Sequence, residues 1–293
     1  MPAVLKKKLF DYGKMIKFSH TVFALPFALS AVVLAWQTRA PSAWELVLIL
    51  AAMVGARSAA MGFNRIIDAD IDKKNPRTAI REIPAGILSR TEASVFVGIS
   101  CLVFVGAAAL LSPLCFLLSF PVLGVLFFYS YTKRFTPYCH LVLGFAISLA
   151  PAGAWVALTG TLNWGIVFLS AALWCYIAGF DILYACQDIA FDRDQGLYSL
   201  PAHLGAARAM RISGLLHGVF MGFLLAVYWH FGMHPVFLIF WGAIGGLILL
   251  EHRLVKPDDL SRIQMAFFHV NSGVSVILFA GILTQAFFRG GSP

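Results

Sequence analysis

Long runs of apolar residues are the feature of this sequence that most restricts its fold. Of its 293 residues, 60% are hydrophobic and 12% are charged. A soluble domain has about twice that share of charged residues, so much of this surface must face lipid. A helix needs about 20 apolar residues to cross the bilayer core. The sequence therefore predicts an all-α polytopic membrane protein with a single domain over residues 1–293.

Polar breaks separate nine apolar runs of sufficient length. The predicted spans cover residues 18–37, 43–63, 93–111, 114–132, 139–159, 163–183, 211–231, 234–251 and 266–288. The lysines before the first run resemble the start of a signal peptide, but no convincing small-residue cleavage site follows. We therefore predict a retained first span.

The basic residues predict the orientation, because Lys and Arg collect on the cytoplasmic side of membrane proteins. With the N-terminus in the cytoplasm, 19 of the 22 Lys and Arg residues lie on that side. Arg39 and Arg289 remain outside, and Arg57 lies within the second span. The net charge of +8 thus reflects topology, and nucleic-acid binding is not predicted. All the long loops are then cytoplasmic.

The first of two acidic segments lies at the cytoplasmic end of the second span. Asn64, Asp68 and Asp72 follow one another at intervals of four residues. On a continuing helix these three side chains share one face, and Asp70 points away from it.

The second acidic segment ends the sixth span. Asp181, Tyr184, Asp188 and Asp192 are spaced so that a continuing helix carries them along one face, with Asp194 off it. The C-terminus of a helix already carries partial negative charge, and stacked carboxylates repel each other. A cation is therefore expected at each segment, and Mg²⁺ fits because it combines few carboxylates with phosphate oxygens. We interpret the two segments as one Mg²⁺–diphosphate site.

Basic side chains supply the expected contacts to a diphosphate. Arg77 and Arg81 follow the first acidic segment, and Lys133 follows the fourth span. A guanidinium group binds phosphate with two parallel hydrogen bonds, and lysine acts as a point charge.

Together these motifs resemble the UbiA superfamily of intramembrane prenyltransferases over nearly the whole chain. The N-x-x-x-D-x-x-x-D motif is matched by Asn64, Asp68 and Asp72, and the D-x-x-Y-A-x-x-D-x-x-x-D motif by Asp181, Tyr184, Ala185, Asp188 and Asp192. The R-T-x-x-R element is matched by Arg77, Thr78 and Arg81, and the Y-x-x-x-K element by Tyr129 and Lys133. Ser130 replaces a common proline, and Arg65 stands where many members carry Asp.

The resemblance implies nine transmembrane helices around a central cavity that opens near the cytoplasmic face. It implies Mg²⁺-dependent transfer of a polyprenyl group from its diphosphate to an aromatic acid. The implied metal ligands are Asp68, Asp72, Asp188 and Asp192. The implied diphosphate contacts are Asn64, Arg77, Arg81, Tyr129 and Lys133, with Lys133 also aiding catalysis.

The acceptor is expected to be 4-hydroxybenzoate, because the segments 17–26 and 81–86 look most like bacterial members acting on it. Prenylation of a dihydroxynaphthoate in menaquinone synthesis is the alternative. Both acceptors carry a carboxylate, and Arg57 is the candidate partner for it. The alternative role for Arg57 is structural, as a hydrogen-bond donor to carbonyl groups. Asp181 and Tyr184 are the other candidate acceptor contacts. The protein is expected to lie in the bacterial inner membrane, in contact with membrane lipid. No protein partner is inferred.

A secondary transporter is the main alternative from another class. Transporters place ionisable residues near the bilayer midplane and show repeated halves. Here only Arg57 is plainly intramembrane, and the acidic residues collect at one interface.

Overall fold

The computed structural model is helical throughout the membrane-spanning part of the chain. It describes residues 3–17, 21 and 23–289, without the side chains of residues 3–6, 267 and 289. Its α-helices are α1 (Ala3–Met15), α2 (Leu25–Trp36), α3 (Ala43–Lys74), α4 (Arg90–Leu111), α5 (Pro113–Thr132), α6 (Cys139–Thr159), α7 (Trp164–Ala185), α8 (Ile189–Asp194), α9 (Leu200–Leu204), α10 (Ala206–His230), α11 (Phe237–Leu254), α12 (Ile263–Met265), α13 (Asn271–Leu283) and α14 (Gln285–Arg289). A 3-10 turn (Cys186–Asp188) precedes α8, and a π-helical turn (Ala266–Val270) precedes α13.

Eight helical segments in the described part of the chain are long and apolar enough to cross a membrane. They are α3, α4, α5, α6, α10, α11 and the composite segments Trp164–Asp194 and Ile263–Phe288. They coincide with eight of the predicted spans and confirm a polytopic helical membrane protein. The first predicted span, 18–37, contains α2, which has 12 residues. Residues 18–20 and 22 lie outside the described residues, so a ninth span stays a prediction, as do the central cavity and the single domain.

The chain divides into two compact units. Unit 1 comprises residues 1–21 and 44–131, and unit 2 comprises residues 22–43 and 132–293.

In unit 1, the end of α1 packs beside the loop that joins α3 to α4. Met15 and Ile16 are buried against Leu88 and Ala93. A capping box starts α4: Ser89 Oγ accepts the amide of Glu92, and Glu92 Oε2 accepts the amide of Ser89. These bonds satisfy amide groups that the first helical turn leaves unpaired, and they hold the loop end close to α1.

In unit 2, α6 and α7 approach closely. A Cβ atom added to Gly144 of α6 would lie 2.6 Å from the carbonyl oxygen of Trp174 in α7. The indole Nε1 of Trp174 donates to the carbonyl of Leu141 at 2.8 Å. Small residues at such contacts let transmembrane helices pack tightly, so these two helices form a firm base for the second acidic segment.

Unit 2 also buries a polar network within its spans. The Tyr176 hydroxyl donates to Asn271 Oδ1 at 2.6 Å, and His217 Nδ1 lies 3.0 Å from His252 Nε2. Glu251 Oε2 lies 3.7 Å from His217 Nδ1. Buried polar groups in a membrane require such mutual contacts, which here join α7, α10, α11 and α13.

Candidate functional site

The first acidic motif lies on the last turns of α3 in unit 1. The helix continues to Lys74, so the three motif residues share a face as their spacing predicts. Asp68 and Asp72 are only 2% and 4% exposed. Asn64 Nδ2 donates to Asp68 Oδ2 at 3.0 Å. Two carboxylates are thus buried one helical turn apart, and both need compensating positive charge or hydrogen bonds.

Arg81 supplies that charge to Asp72. Its Nη1 atom lies 2.8 Å from Oδ1 and 2.7 Å from Oδ2 of the carboxylate. Thr78 Oγ1 donates to the backbone carbonyl of Asp72 at 3.0 Å, and Asn75 Oδ1 accepts the amide of Arg77 at 3.0 Å. The chain after α3 therefore folds back over the helix end and brings the R-T-x-x-R element onto the first motif.

Further cations surround this part of unit 1. Burial and the guanidinium groups of Arg65, Arg81 and Arg77 lower the pKa of Lys17 to about 8. Lys17 was not among the predicted site residues, and its place in a lysine-rich segment was the one available signal. Neighbouring cations lower the pKa of this lysine because their charges repel each other. Such a cluster is suited to bind an anion.

Arg65, one residue after Asn64, points to α1. It is buried, and its Nε donates to the carbonyl of Met15 at 3.1 Å. A guanidinium group at the C-terminus of α1 satisfies an unpaired carbonyl and opposes the negative end of the helix dipole. Arg65 thus stabilises the helix end from which Lys17 extends.

Arg57 lies deeper in α3. Its Nη2 donates to the carbonyl of Lys17 at 3.2 Å, a hydrogen bond of the kind expected for a structural role. Its Nε is buried without a hydrogen-bond partner among the described residues. Tyr129 lies within electrostatic range of both Arg57 and Asp68. Unit 1 therefore brings together Arg57, Tyr129 and the first acidic motif, and one buried donor of Arg57 has no partner among the described residues.

The second acidic motif departs from the predicted geometry. The prediction of one continuous helix carrying Asp181, Tyr184, Asp188 and Asp192 is wrong, because α7 ends at Ala185 and a 3-10 turn precedes α8. Gln187 Nε2 donates to the carbonyl of Tyr184 at 2.9 Å. This bond satisfies a carbonyl that a continuing α-helix would pair with the amide of Asp188.

Asp192 lies in a mixed polar environment. Its Oδ2 accepts the hydroxyl of Ser199 at 2.8 Å. Asp188, Lys133 and His140 lie within electrostatic range of it. The amide of Tyr198 donates to the carbonyl of Lys133 at 2.7 Å, which ties the loop after α8 to the loop before α6. Unit 2 thus gathers Asp188, Asp192 and Lys133 of the predicted site.

Asp181 and Tyr184 lie on α7 before the break. Asp181 Oδ2 lies 2.6 Å from His140 Nδ1. Tyr184 lines a small cavity with Phe180 and Glu251. His140 was missed by sequence reasoning because no spacing to another ligand marks it; only the folded contact between α6 and α7 reveals the pair.

The two acidic residues placed off the motif faces lie at the surface. Asp70 pairs with Arg90 and its side chain is 80% exposed. Asp194 is exposed and accepts Gln195 Nε2 at 2.7 Å.

Within the described residues no group of three or more His, Cys, Asp or Glu side chains could hold a metal ion by itself. The predicted metal ligands are instead two carboxylates in each acidic motif. Mg²⁺ is commonly held by one or two carboxylates and completes its shell with water and substrate phosphate, so the donor set fits a metal that arrives with a phosphate ligand. That both motifs serve one site stays a prediction.

Comparison with known proteins supports the motif assignment. The sequence model of the UbiA prenyltransferase family matches residues 24–273. A 4-hydroxybenzoate octaprenyltransferase of Vibrio atlanticus (strain LGP32) is 31% identical over 242 residues, covering 80% of this chain and 83% of the relative.

Solved structures show the same fold. The apo structure of a UbiA homologue from Aeropyrum pernix K1 is 33% identical, with a TM-score of 0.82 over 91% of this chain and 98% of that one. A UbiA homologue from Archaeoglobus fulgidus, bound to GPP and Mg²⁺, is 17% identical, with a TM-score of 0.69 over 94% of this chain and 99% of that one. The chain therefore belongs to the UbiA prenyltransferase family and is an integral membrane prenyltransferase.

Proposed function

We propose that the protein transfers a polyprenyl group from its diphosphate to 4-hydroxybenzoate in a Mg²⁺-dependent reaction. The observation that carries this proposal is the buried Asp68–Asp72 pair with Arg81 bound to it. A pair of buried carboxylates beside several cations suits a ligand that combines a divalent metal with a highly charged anion.

Asp68, Asp72, Asp188 and Asp192 are the proposed ligands of Mg²⁺. When bound, the metal offsets negative charge on the diphosphate as the allylic C–O bond ionises. The Archaeoglobus fulgidus homologue, whose structure contains GPP and Mg²⁺, supports this assignment.

The remaining polar residues act on the diphosphate leaving group. Asn64 holds Asp68 in place, while Arg77, Arg81 and Lys133 bind phosphate oxygens. Tyr129 is the proposed hydroxyl donor. Such fixed charges act most strongly in a site closed to water, where they stabilise charge that develops during bond breaking.

Arg57 is the proposed partner of the acceptor carboxylate, with Asp181 and Tyr184 as further acceptor contacts. The buried and unpartnered Nε of Arg57 supports this role. Relatives named 4-hydroxybenzoate octaprenyltransferase support the choice of acceptor. The distribution of basic residues supports an inner-membrane orientation with the active-site loops in the cytoplasm.

The test is prenyl transfer by membranes containing the protein, with labelled prenyl diphosphate and either 4-hydroxybenzoate or a dihydroxynaphthoate. We expect product with 4-hydroxybenzoate, its loss in EDTA and its return with added Mg²⁺. Asp68→Ala and Asp188→Ala are expected to be inactive, and Asp70→Ala, at an exposed position, serves as control. A preference for the naphthoate would show that the dihydroxynaphthoate, and not 4-hydroxybenzoate, is the acceptor. Transfer unaffected by EDTA would refute the metal site.

A further inference from the structure

His140 and Asp181 form a pair where α6 meets α7 in unit 2. The side chain of His140 is 4% exposed, whereas that of Asp181 is 25% exposed. Their 2.6 Å contact uses Nδ1 of the ring and Oδ2 of the carboxylate. Asp181 is therefore the more accessible member of the pair, and the imidazole is the more buried one.

The helices α6 and α7 make other close contacts besides this pair. Gly144 already lets the two backbones approach, and Trp174 donates to Leu141 across the same contact. A buried ion pair is weak evidence for stability, because removing both charges from water costs about as much as their attraction returns. A function that uses the carboxylate explains the pair better than a role in holding the helices together.

The position of the pair indicates which function that is. His140 lies within electrostatic range of Asp192 in the second motif, where Lys133 also lies. Asp181 belongs to the same motif but precedes the 3-10 turn, and Oδ2, not Oδ1, is the oxygen that contacts His140. An oriented carboxylate beside the donor-binding residues is suited to accept a hydrogen bond from a neutral hydroxyl group.

We propose that His140 is a positioning residue that holds the Asp181 carboxylate, which accepts a hydrogen bond from the hydroxyl group of the phenolic acceptor. This inference rests on the proposed function, and it deepens it by naming the part of the acceptor that Asp181 recognises.

The test compares the affinities of a hydroxylated acid and its deoxy analogue. Dissociation constants of 4-hydroxybenzoate and benzoate are measured by titration calorimetry on the full-length protein in detergent with Mg²⁺. The variants are His140→Leu, His140→Asn and Asp181→Asn. His203→Asn, at an exposed histidine of the same unit, is the matched control.

In the wild type, 4-hydroxybenzoate is expected to bind roughly tenfold more tightly than benzoate, as suits a hydrogen bond to a charged group. His140→Leu and Asp181→Asn are expected to bring this ratio close to one, with benzoate affinity and prenyl diphosphate affinity unchanged. His140→Asn keeps a side-chain donor and is expected to retain several-fold discrimination. His203→Asn is expected to match the wild type.

Two results would overturn the inference. One is an unchanged ratio in His140→Leu; the other is an equal loss of both ligands, which is the mark of general structural damage. If His140→Leu does not fold, His140→Asn and Asp181→Asn decide the question by the same ratio. The proposed function is tested separately on the wild type, with dihydroxynaphthoate and naphthoate as a second pair of acids. If the wild type binds none of the four acids, the proposed reaction is refuted, and this inference with it.

Discussion

The carboxylate of Asp72 is neutralised by Arg81. Both oxygens of Asp72 lie within 2.8 Å of the same guanidinium nitrogen, so a metal ion that binds Asp72 competes with Arg81 for those oxygens. On the proposed function, Arg81 therefore has two tasks: it balances the charge of Asp72, and it contacts the diphosphate.

Arg81→Ala separates these two tasks. We expect the Mg²⁺ concentration for half-maximal activity to fall, because the competing cation is gone, while the KM for prenyl diphosphate rises roughly tenfold through loss of a charge-assisted hydrogen bond. Steady-state kinetics over a Mg²⁺ series measures both. The control is Arg90→Ala, which removes an exposed ion pair of little energetic value. A rise in both quantities would show that Arg81 does not compete with the metal.

Arg57→Ala tests the acceptor side. The acceptor KM is expected to rise by roughly tenfold or more, because a carboxylate loses its charged partner, while the KM for prenyl diphosphate changes less than twofold. Arg208→Ala, at an exposed arginine of unit 2, is the control. An equal loss for both substrates would mean that Arg57 serves mainly to hold the Lys17 carbonyl.

Several of these residue-level contacts lay beyond sequence reasoning. The motif residues were found because their spacing is local, and Asp68 and Asp72 do share a face. The bond from Arg65 to Met15 and the pair of His140 with Asp181 join residues 50 and 41 positions apart. Nothing in the local pattern encodes such partners, since they depend on which helices pack together.

At the scale of helices, the close approach of α6 and α7 depends on a residue without a side chain. Gly144→Ala places a Cβ atom against the Trp174 carbonyl, and Gly153→Ala on the same helix meets nothing within 4 Å. We expect Gly144→Ala to lower the free energy of unfolding by about 1–3 kcal/mol, as overpacking commonly does. Gly153→Ala is expected to be neutral or slightly stabilising. Thermal denaturation in detergent compares the two, and equal stability of both variants would contradict the tight contact.

The capping box of α4 offers a second test at this scale. Ser89→Ala removes the acceptor for the Glu92 amide and is expected to cost about 1 kcal/mol of stability. Thr91→Ala, at an exposed position of the same turn, is the control. Denaturation in detergent checks the difference; a Thr91→Ala effect as large as that of Ser89→Ala would contradict it.

Helix ends were harder to predict than helix existence. Apolar runs located eight segments because the length of a run depends only on neighbouring residues. The break at residues 186–188 was missed because a side-chain bond from Gln187 competes there with the backbone ladder. A periodic pattern of acidic residues continues across this break and therefore suggested an α-helix without interruption.

For the whole molecule, the positive-inside distribution predicts which loops face the cytoplasm. In a cysteine-free background, Thr161→Cys is expected to react with a membrane-impermeant maleimide on intact cells, because the predicted topology places its loop outside. Ser261→Cys is expected to react only after the membrane is permeabilised. Both positions are exposed, so burial does not account for a failure to label. The reverse pattern would invert the proposed topology.

The ion pair between Asp72 and Arg81 has a consequence for the folding of this segment. A buried carboxylate that loses its only countercharge strongly destabilises a protein. Here the countercharge comes from a residue nine positions further along the same chain. The fold at the end of α3 therefore carries its own charge balance and does not need an external cation to supply it.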